Sequence, residues 1–184
     1  MKFVARHGDR WRSVGGDDGP MVTITPGPDR LLTLGQWHSV RNSWPAGLEV
    51  GVALPNDAPV EDLAADLGGD APIALIALDF PKWTDGRAYS QARLLRARWR
   101  YAGEIRATGE VLVDMLPLLR RTGFDAVLLR ADQSIDAAER ALAFFHGHYQ
   151  ADVHEHRPLF ALPQGEADAL ARKRAEFVGD GASI

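Results

Sequence analysis

The sequence predicts an α/β fold in a single domain, a mainly parallel sheet flanked by helices. Three observations predict it. From residue 47 onward, apolar runs alternate with amphipathic stretches in four consecutive strand–helix units, and such units imply right-handed crossovers between parallel strands. The run "PIALIALDF", residues 72–80, is continuously apolar and suits a strand covered on both faces. The 184 residues can bury a substantial core in one domain, whereas a closed eight-unit barrel takes about 250. An open sheet is the first expectation. A half (βα) barrel that completes itself with a second copy, as a homodimer, is the alternative.

Residues 1–46 read as a turn-rich region followed by a short helix. "VGGDDGP" and "TPGPDR" punctuate two apolar pieces, around Phe3–Val4 and at "MVTIT" (21–25), which are expected to pair as edge strands or a hairpin. Trp37, Val40 and Trp44 fall at helical spacing, so a short helix stops before Pro45 with both tryptophans anchored in the core.

Residues 47–150 carry the repeat. "GLEVGVAL" reads as a strand and "VEDLAADLG" as a short helix closed by Gly68. Residues 72–80 follow as a strand, 86–101 as a helix and "GEIRA" as a very short strand. "GEVLVDMLPLLRRTG" predicts a helix closed by Gly123 and bent at Pro117. "FDAVLLR" is the next strand. The helix after it is capped by Ser134 and puts Ile135, Ala138, Leu142, Phe145 and Tyr149 on one apolar stripe. Residues 151–184 read as a tail with a final charged helix.

Composition excludes several function classes. The formal charge of −4 argues against a general nucleic-acid binder. With no cysteine there is no disulfide, thiolate metal site or catalytic thiol. No apolar run reaches membrane-spanning length and the start of the chain lacks a signal peptide's apolar run, so a cytoplasmic protein without membrane contact is expected.

In parallel α/β folds, ligands bind beyond the carboxyl ends of the strands. Three loops qualify. The first offers Asp79, Lys82, Trp83, Asp85 and Arg87; the second Arg106, Thr108 and Glu110; the third Arg130, Asp132 and Ser134. Arginine forks among carboxylates suit an oxyanion, and helix starts after Asp85–Gly86 and Thr108–Gly109 would aim backbone N–H groups at the same place. Lys82, Arg87, Arg106, Thr108 and Arg130 are therefore the candidate anion ligands, and Asp79 and Asp85 the candidate acid–base groups. Asp85 reads equally as a helix cap.

The stretch "FPKWTDGRAYSQARLLRARWR", residues 80–100, adds a second feature. On a helical wheel Ala88, Ala92, Leu95 and Trp99 share the core side, while Tyr89, Arg93, Arg96 and Arg100 share the adjoining flank. Such an arginine stripe is a candidate partner-binding surface, with a solvated charged face as its plain alternative. His146, His148, His154 and His156 straddle a helix end without fixed metal-ligand geometry, so no metal site is expected. No dinucleotide fingerprint, P-loop or nucleophile elbow occurs, and no cofactor can be named.

Residues 44–150 or so resemble a bacterial family, domain of unknown function 934, most specifically in their middle. The resemblance rests on Phe80, Pro81, Trp83, Asp85–Arg87, Tyr89, Ser90, Ala92 and Leu94–Arg96, then on Gly103–Ala107 and Gly109–Val111, then on Arg121 and Gly123–Asp125. Members are typically encoded beside assimilatory sulfite reductase and are often labelled probable oxidoreductases of sulfite reduction. The family has no established catalytic residues to carry over. The resemblance implies sulfur assimilation, whose compounds are oxyanions, and sulfite reductase as a possible partner. Two functions are expected: an accessory protein contacting a reductase or an oxyanion, or an oxidoreductase-type enzyme acting on an anionic substrate.

Overall fold

A computed structural model describes residues 1–5, 8–15, 23–70, 72–144 and 148–181. Seven strands form one sheet: β1 (Lys2–Phe3), β2 (Arg12–Ser13), β3 (Arg30–Thr33), β4 (Val50–Leu54), β5 (Ile73–Phe80), β6 (Glu104–Gly109) and β7 (Ala126–Val127). Their order is β1-β7-β6-β5-β4-β3-β2, and every neighbouring pair is parallel. From β2 to β7 each strand lies beside the one before it. With right-handed crossovers, that succession always sends the helices to the same side. The sheet accordingly curls into a half barrel flanked by helices, the expected α/β class in its half-barrel form.

The helices are α1 (Leu34–Val40), α2 (Glu61–Ala64), α3 (Arg87–Ala97), α4 (Leu116–Thr122), α5 (Ile135–Phe144) and α6 (Gln164–Gly181). Strand registers sort the side chains into two faces. Leu32, Val52, Leu54, Ile76, Leu78, Phe80, Ile105, Ala107 and Val127 lie on the convex face. There they share one core with Trp37, Leu63, Ala88, Ala92, Leu95, Leu116, Leu119 and Ala138 of the helices. Trp37 and Trp44 meet edge to face at 6.0 Å inside it, as anchors.

Local chemistry explains the boundaries. Thr33 and Gln36 form a reciprocal capping box that starts α1. Gly123 ends α4 at φ 109°, and a Cβ there would lie 2.6 Å from Arg96 Cγ, so both backbone and space require glycine. Ser134 Oγ accepts the Ala137 N–H at 3.4 Å, the expected cap of α5.

Four expectations are corrected. The N-terminal region is no hairpin: the Phe3 piece is an edge strand as expected, β1, but β2 sits at the opposite edge of the sheet, and Thr23–Thr25 joins no strand, while residues 21 and 22 lie outside the described set. The helix expected across 109–123 does not bend at Pro117. Pro117 sits in the first turn of α4, where its missing N–H breaks no bond, and a 3-10 turn at Val113–Met115 precedes it. β6 runs six residues, so Thr108 and Gly109 end a strand rather than start a helix. The apolar stripe of α5 is buried at Ala138 and half-buried at Leu142, but Ile135 is 54% exposed and Tyr149, beyond the helix, is 77% exposed. Phe145 lies outside the described residues.

Candidate functional site

The rim at the carboxyl ends of the strands holds most of the expected site residues, but its arginines are spent. Arg87 grips Asp85 with two parallel bonds, Nε to Oδ1 at 3.0 Å and Nη2 to Oδ2 at 2.7 Å. Asp85 also accepts the Arg87 N–H at 3.3 Å, bracing the start of α3. The guanidinium bond holds the Asp85 carboxyl well below the usual carboxylate range. Arg130 does the same for Asp132, at 2.6 and 2.7 Å, and takes Glu110 at 2.9 Å. Asp132 is thereby held down at about 2. Lys82 and Trp83 are exposed, and Lys82 makes no ion pair among the described residues. Apart from that lysine, the rim's cations are locked in neutralised pairs.

Arg106 is not on the rim. The strand expected at 103–107 extends to 109, so Arg106 falls in mid-strand, 3% exposed on the concave face. Its Nε and Nη2 donate to Glu104 at 2.8 and 2.6 Å, and Nη1 donates to Asp9. It cannot join Arg87 around one ligand, since two of its arms are held by Glu104 within β6 and the third ties the sheet to Asp9 of the N-terminal segment.

The arginine stripe also divides. Arg96 donates to the carbonyls of Gly123, Tyr101 and Gly103 and to the Asp125 carboxylate, with its side chain 15% exposed. It is a structural brace, not a contact surface, because the flank it occupies faces the loops before β6 and β7. Tyr89 packs edge to face on Phe80 at 5.1 Å and against Phe124 at 6.4 Å, and burial pushes its hydroxyl up. Arg100 is exposed and follows the helix at φ 51°. Arg93 is exposed, with no hydrogen bond or ion pair among the described residues.

Arg93 leads to the feature that sequence reasoning missed. A cleft of about 460 Å³ lies beside α3 and α4, lined by Arg93, Arg96, Leu118, Arg121, Thr122 and residues 150–153, with His156. Arg121 has only loose partners: Asp152 Oδ2 at 3.5 Å and the Gln150 carbonyl at 3.4 Å, with no hydrogen bond at Nε. Across it lies a second cavity of about 230 Å³, lined by Arg120, Arg121, His148, His154, Arg157 and Asp152 among others. Burial and the nearby Arg121 lower the His148 pKa. Burial would raise Asp152, but N–H bonds from Glu155 and His154, with Arg121, leave it lowered. A guanidinium with unspent donors beside an unpaired arginine suits an anion. The Arg120–Arg121 pair and the basic stretch His154–Arg157 were the available signals, but only folding brings them together.

His146 lies outside the described residues. Among the described residues no cluster of three His, Asp or Glu is placed to hold a metal, and no helix is long and apolar enough to cross a membrane.

A family model described as a bacterial protein of unknown function matches residues 51–160. The chain belongs to the DUF934 family. No curated protein matches it. The DUF934 match contains all but the first residue of β4, then β5–β7, α2–α5 and the whole cleft lining. It leaves out β1 and β2 at the two sheet edges, so the family pattern resides in the middle of the sheet and the helices covering it.

Proposed function

We propose that this DUF934 protein is an accessory, anion-binding protein of assimilatory sulfite reduction, taking an oxyanion or an acidic surface of a reductase in the cleft beside α3 and α4. The pathway comes from the resemblance to proteins encoded beside sulfite reductase. The observation that carries the binding reading is the pairing across one cleft of Arg93, without a partner among the described residues, and Arg121, with unspent donors. This moves the binding role from the rim and the full stripe to Arg93 alone among the α3 arginines. The enzymatic alternative loses its expected anion holders, because Arg87 and Arg106 are bonded to Asp85, Glu104 and Asp9.

The test is a titration of sulfite and sulfate into isotope-labelled protein at low salt, read at the Thr122 and Val153 amides, alongside a pull-down with sulfite reductase. Arg93→Glu is expected to weaken the response at least about tenfold, roughly 1.4 kcal/mol, without changing Tm, since Arg93 is exposed and unbonded. An unchanged response in that variant, or no response to either anion or to the reductase, would overturn the proposal.

A further inference from the structure

Among the carboxylates of the three rim loops after β5, β6 and β7, all but one have an arginine partner. Asp85 has Arg87, while Glu110 and Asp132 have Arg130. Asp79, at the penultimate position of the central strand β5, has no cation among the described residues. Its neighbour in register is Thr108 of β6, so its side chain lies on the concave face with Ala77, Arg106 and Thr108. Next to Asp79 that face carries the small residues Ala53 and Ala77, with Ala126 beside Arg106, and further along it is closed by the fully buried Leu75, by Trp11 over Gly51 and by the Arg106 cluster. Asp79, Ala53 and Thr108 are half-buried, so the mouth at the carboxyl end stays open.

The carboxyl is held by one oxygen. Oδ1 accepts from the Thr108 hydroxyl at 3.3 Å, and a methyl added at Gly109 would come within 2.7 Å of it and 2.5 Å of the Phe80 carbonyl. Gly109, at φ 87°, is what lets β6 end against this oxygen. Oδ2 takes no hydrogen bond among the described residues and is not sealed from solvent. Desolvation raises the Asp79 pKa, and the Thr108 bond only partly offsets it. A partly desolvated carboxylate without a counter-charge is costly to the fold, and groups held in that state cluster at functional sites.

We propose that Asp79 is the ligand-facing group of a second site, at the mouth of the concave face, which takes an ammonium group of a small amine. With Oδ1 turned to the Thr108 hydroxyl, Oδ2 is the oxygen left for the mouth, and a cation there does for Asp79 what arginine does for Asp85, Glu110 and Asp132. This site is separate from the cationic cleft, which has opposite charge and lies among the helices and the segment following α5, so the two stand or fall independently.

The experiment titrates ethylammonium chloride into labelled protein at constant ionic strength, reading the Ala53, Thr108 and Gly109 amides, with ethylene glycol as the neutral comparison. Saturable movement with ethylammonium, weakened at least about tenfold in Asp79→Asn, is expected. The same titration in Asp79→Ala covers the case where the asparagine variant does not fold. No saturable movement, or equal movement in the variants, overturns the site. Movement with ethylene glycol and not ethylammonium overturns the cationic assignment in favour of a hydroxyl ligand. Sulfite binding in the cleft is unaffected by Asp79→Asn, which separates failure here from failure of the oxyanion reading.

Discussion

The two faces of the half-barrel sheet follow different rules. The convex face is large, branched and dry: Leu32, Val52, Leu54, Ile76, Leu78 and Phe80 are fully buried against helices. The concave face pairs glycine and alanine with Asp79, Glu104, Arg106 and Thr108, and a strand segment supplies its cover at one end, where Trp11 lies over Gly51. Burial stabilises roughly in proportion to apolar area, so the convex face carries the stability. The concave face adds a smaller apolar contribution, from Leu75, Trp11, Ala77 and Ala126, and sets charged and polar groups among them. A sheet that needed only to fold would fill both faces alike.

Substitutions can break or sharpen this contrast, and the largest effect is expected on the helix side. Arg96→Glu sets a carboxylate against Asp125 and three carbonyls, at a cost of about 3–5 kcal/mol, and chemical denaturation is expected to show a midpoint moved to much lower denaturant. A midpoint near that of the unmodified protein would mean that Arg96 is not the brace described. On the concave side, Trp11→Ala is expected to lose about 3 kcal/mol while leaving the helix layer packed. Its signature is faster amide exchange at β2 and β3 with α3 and α4 unchanged; uniform loss of protection would merge the two faces into one unit.

Smaller effects sharpen the picture at the mouth. Gly109→Ala forces φ 87° on a side chain and crowds Asp79 and Phe80, with an expected loss of about 1–3 kcal/mol. Asp79→Asn works in the other direction. Because the folded-state pKa of Asp79 lies above its ordinary 3.8, folding is penalised progressively as pH rises from that value through the folded one, and the full penalty holds above both, where the carboxylate is charged in both states. The asparagine variant should therefore melt higher at pH 7, with the gain gone below the ordinary value of 3.8. A lower Tm at pH 7 would make Asp79 a structural residue. Least of all, Arg87→Ala on the exposed rim is expected to stay within about 0.5 kcal/mol of the original, as thermal melts at two salt concentrations can check.

The convex half of this contrast was legible in the sequence, because apolar runs and helical spacing report burial directly. Trp37, Trp44, Ala88, Ala92 and Leu95 are where periodicity puts them. The concave half was not. A strand buried on both faces reads as one apolar run, so nothing marked Ala53 and Ala77 as a trough. Reading β6 as ending at Ala107, short of its true end at Gly109, moved Arg106 from mid-strand to the rim. Gly109 looked like a helix start because a glycine after threonine marks many boundaries, and only its positive φ shows which. A helical wheel put Arg96 beside Arg93 and Arg100 correctly, but it carries no information on what faces that flank. Asp79 was named as a candidate from its place after an apolar run; its missing partner became visible only against its paired neighbours.

The placement of β1 and β2 has a consequence for how the chain is made. These strands are neighbours in sequence, yet Lys2 pairs with Ala126 while Arg12 pairs with Arg30. On a ribosome adding about 5–20 residues per second, β2 finds its partner almost at once. β1 waits on the order of ten seconds for β7 to emerge, an unpaired edge in the meantime. Lys2, inside that short strand, places a charge where a premature strand partner would dock. Within the sheet, the last pairing open to the newborn chain is then that of its first strand, while the Asp9–Arg106 contact, available before β7 emerges, already holds the N-terminal segment beside β6.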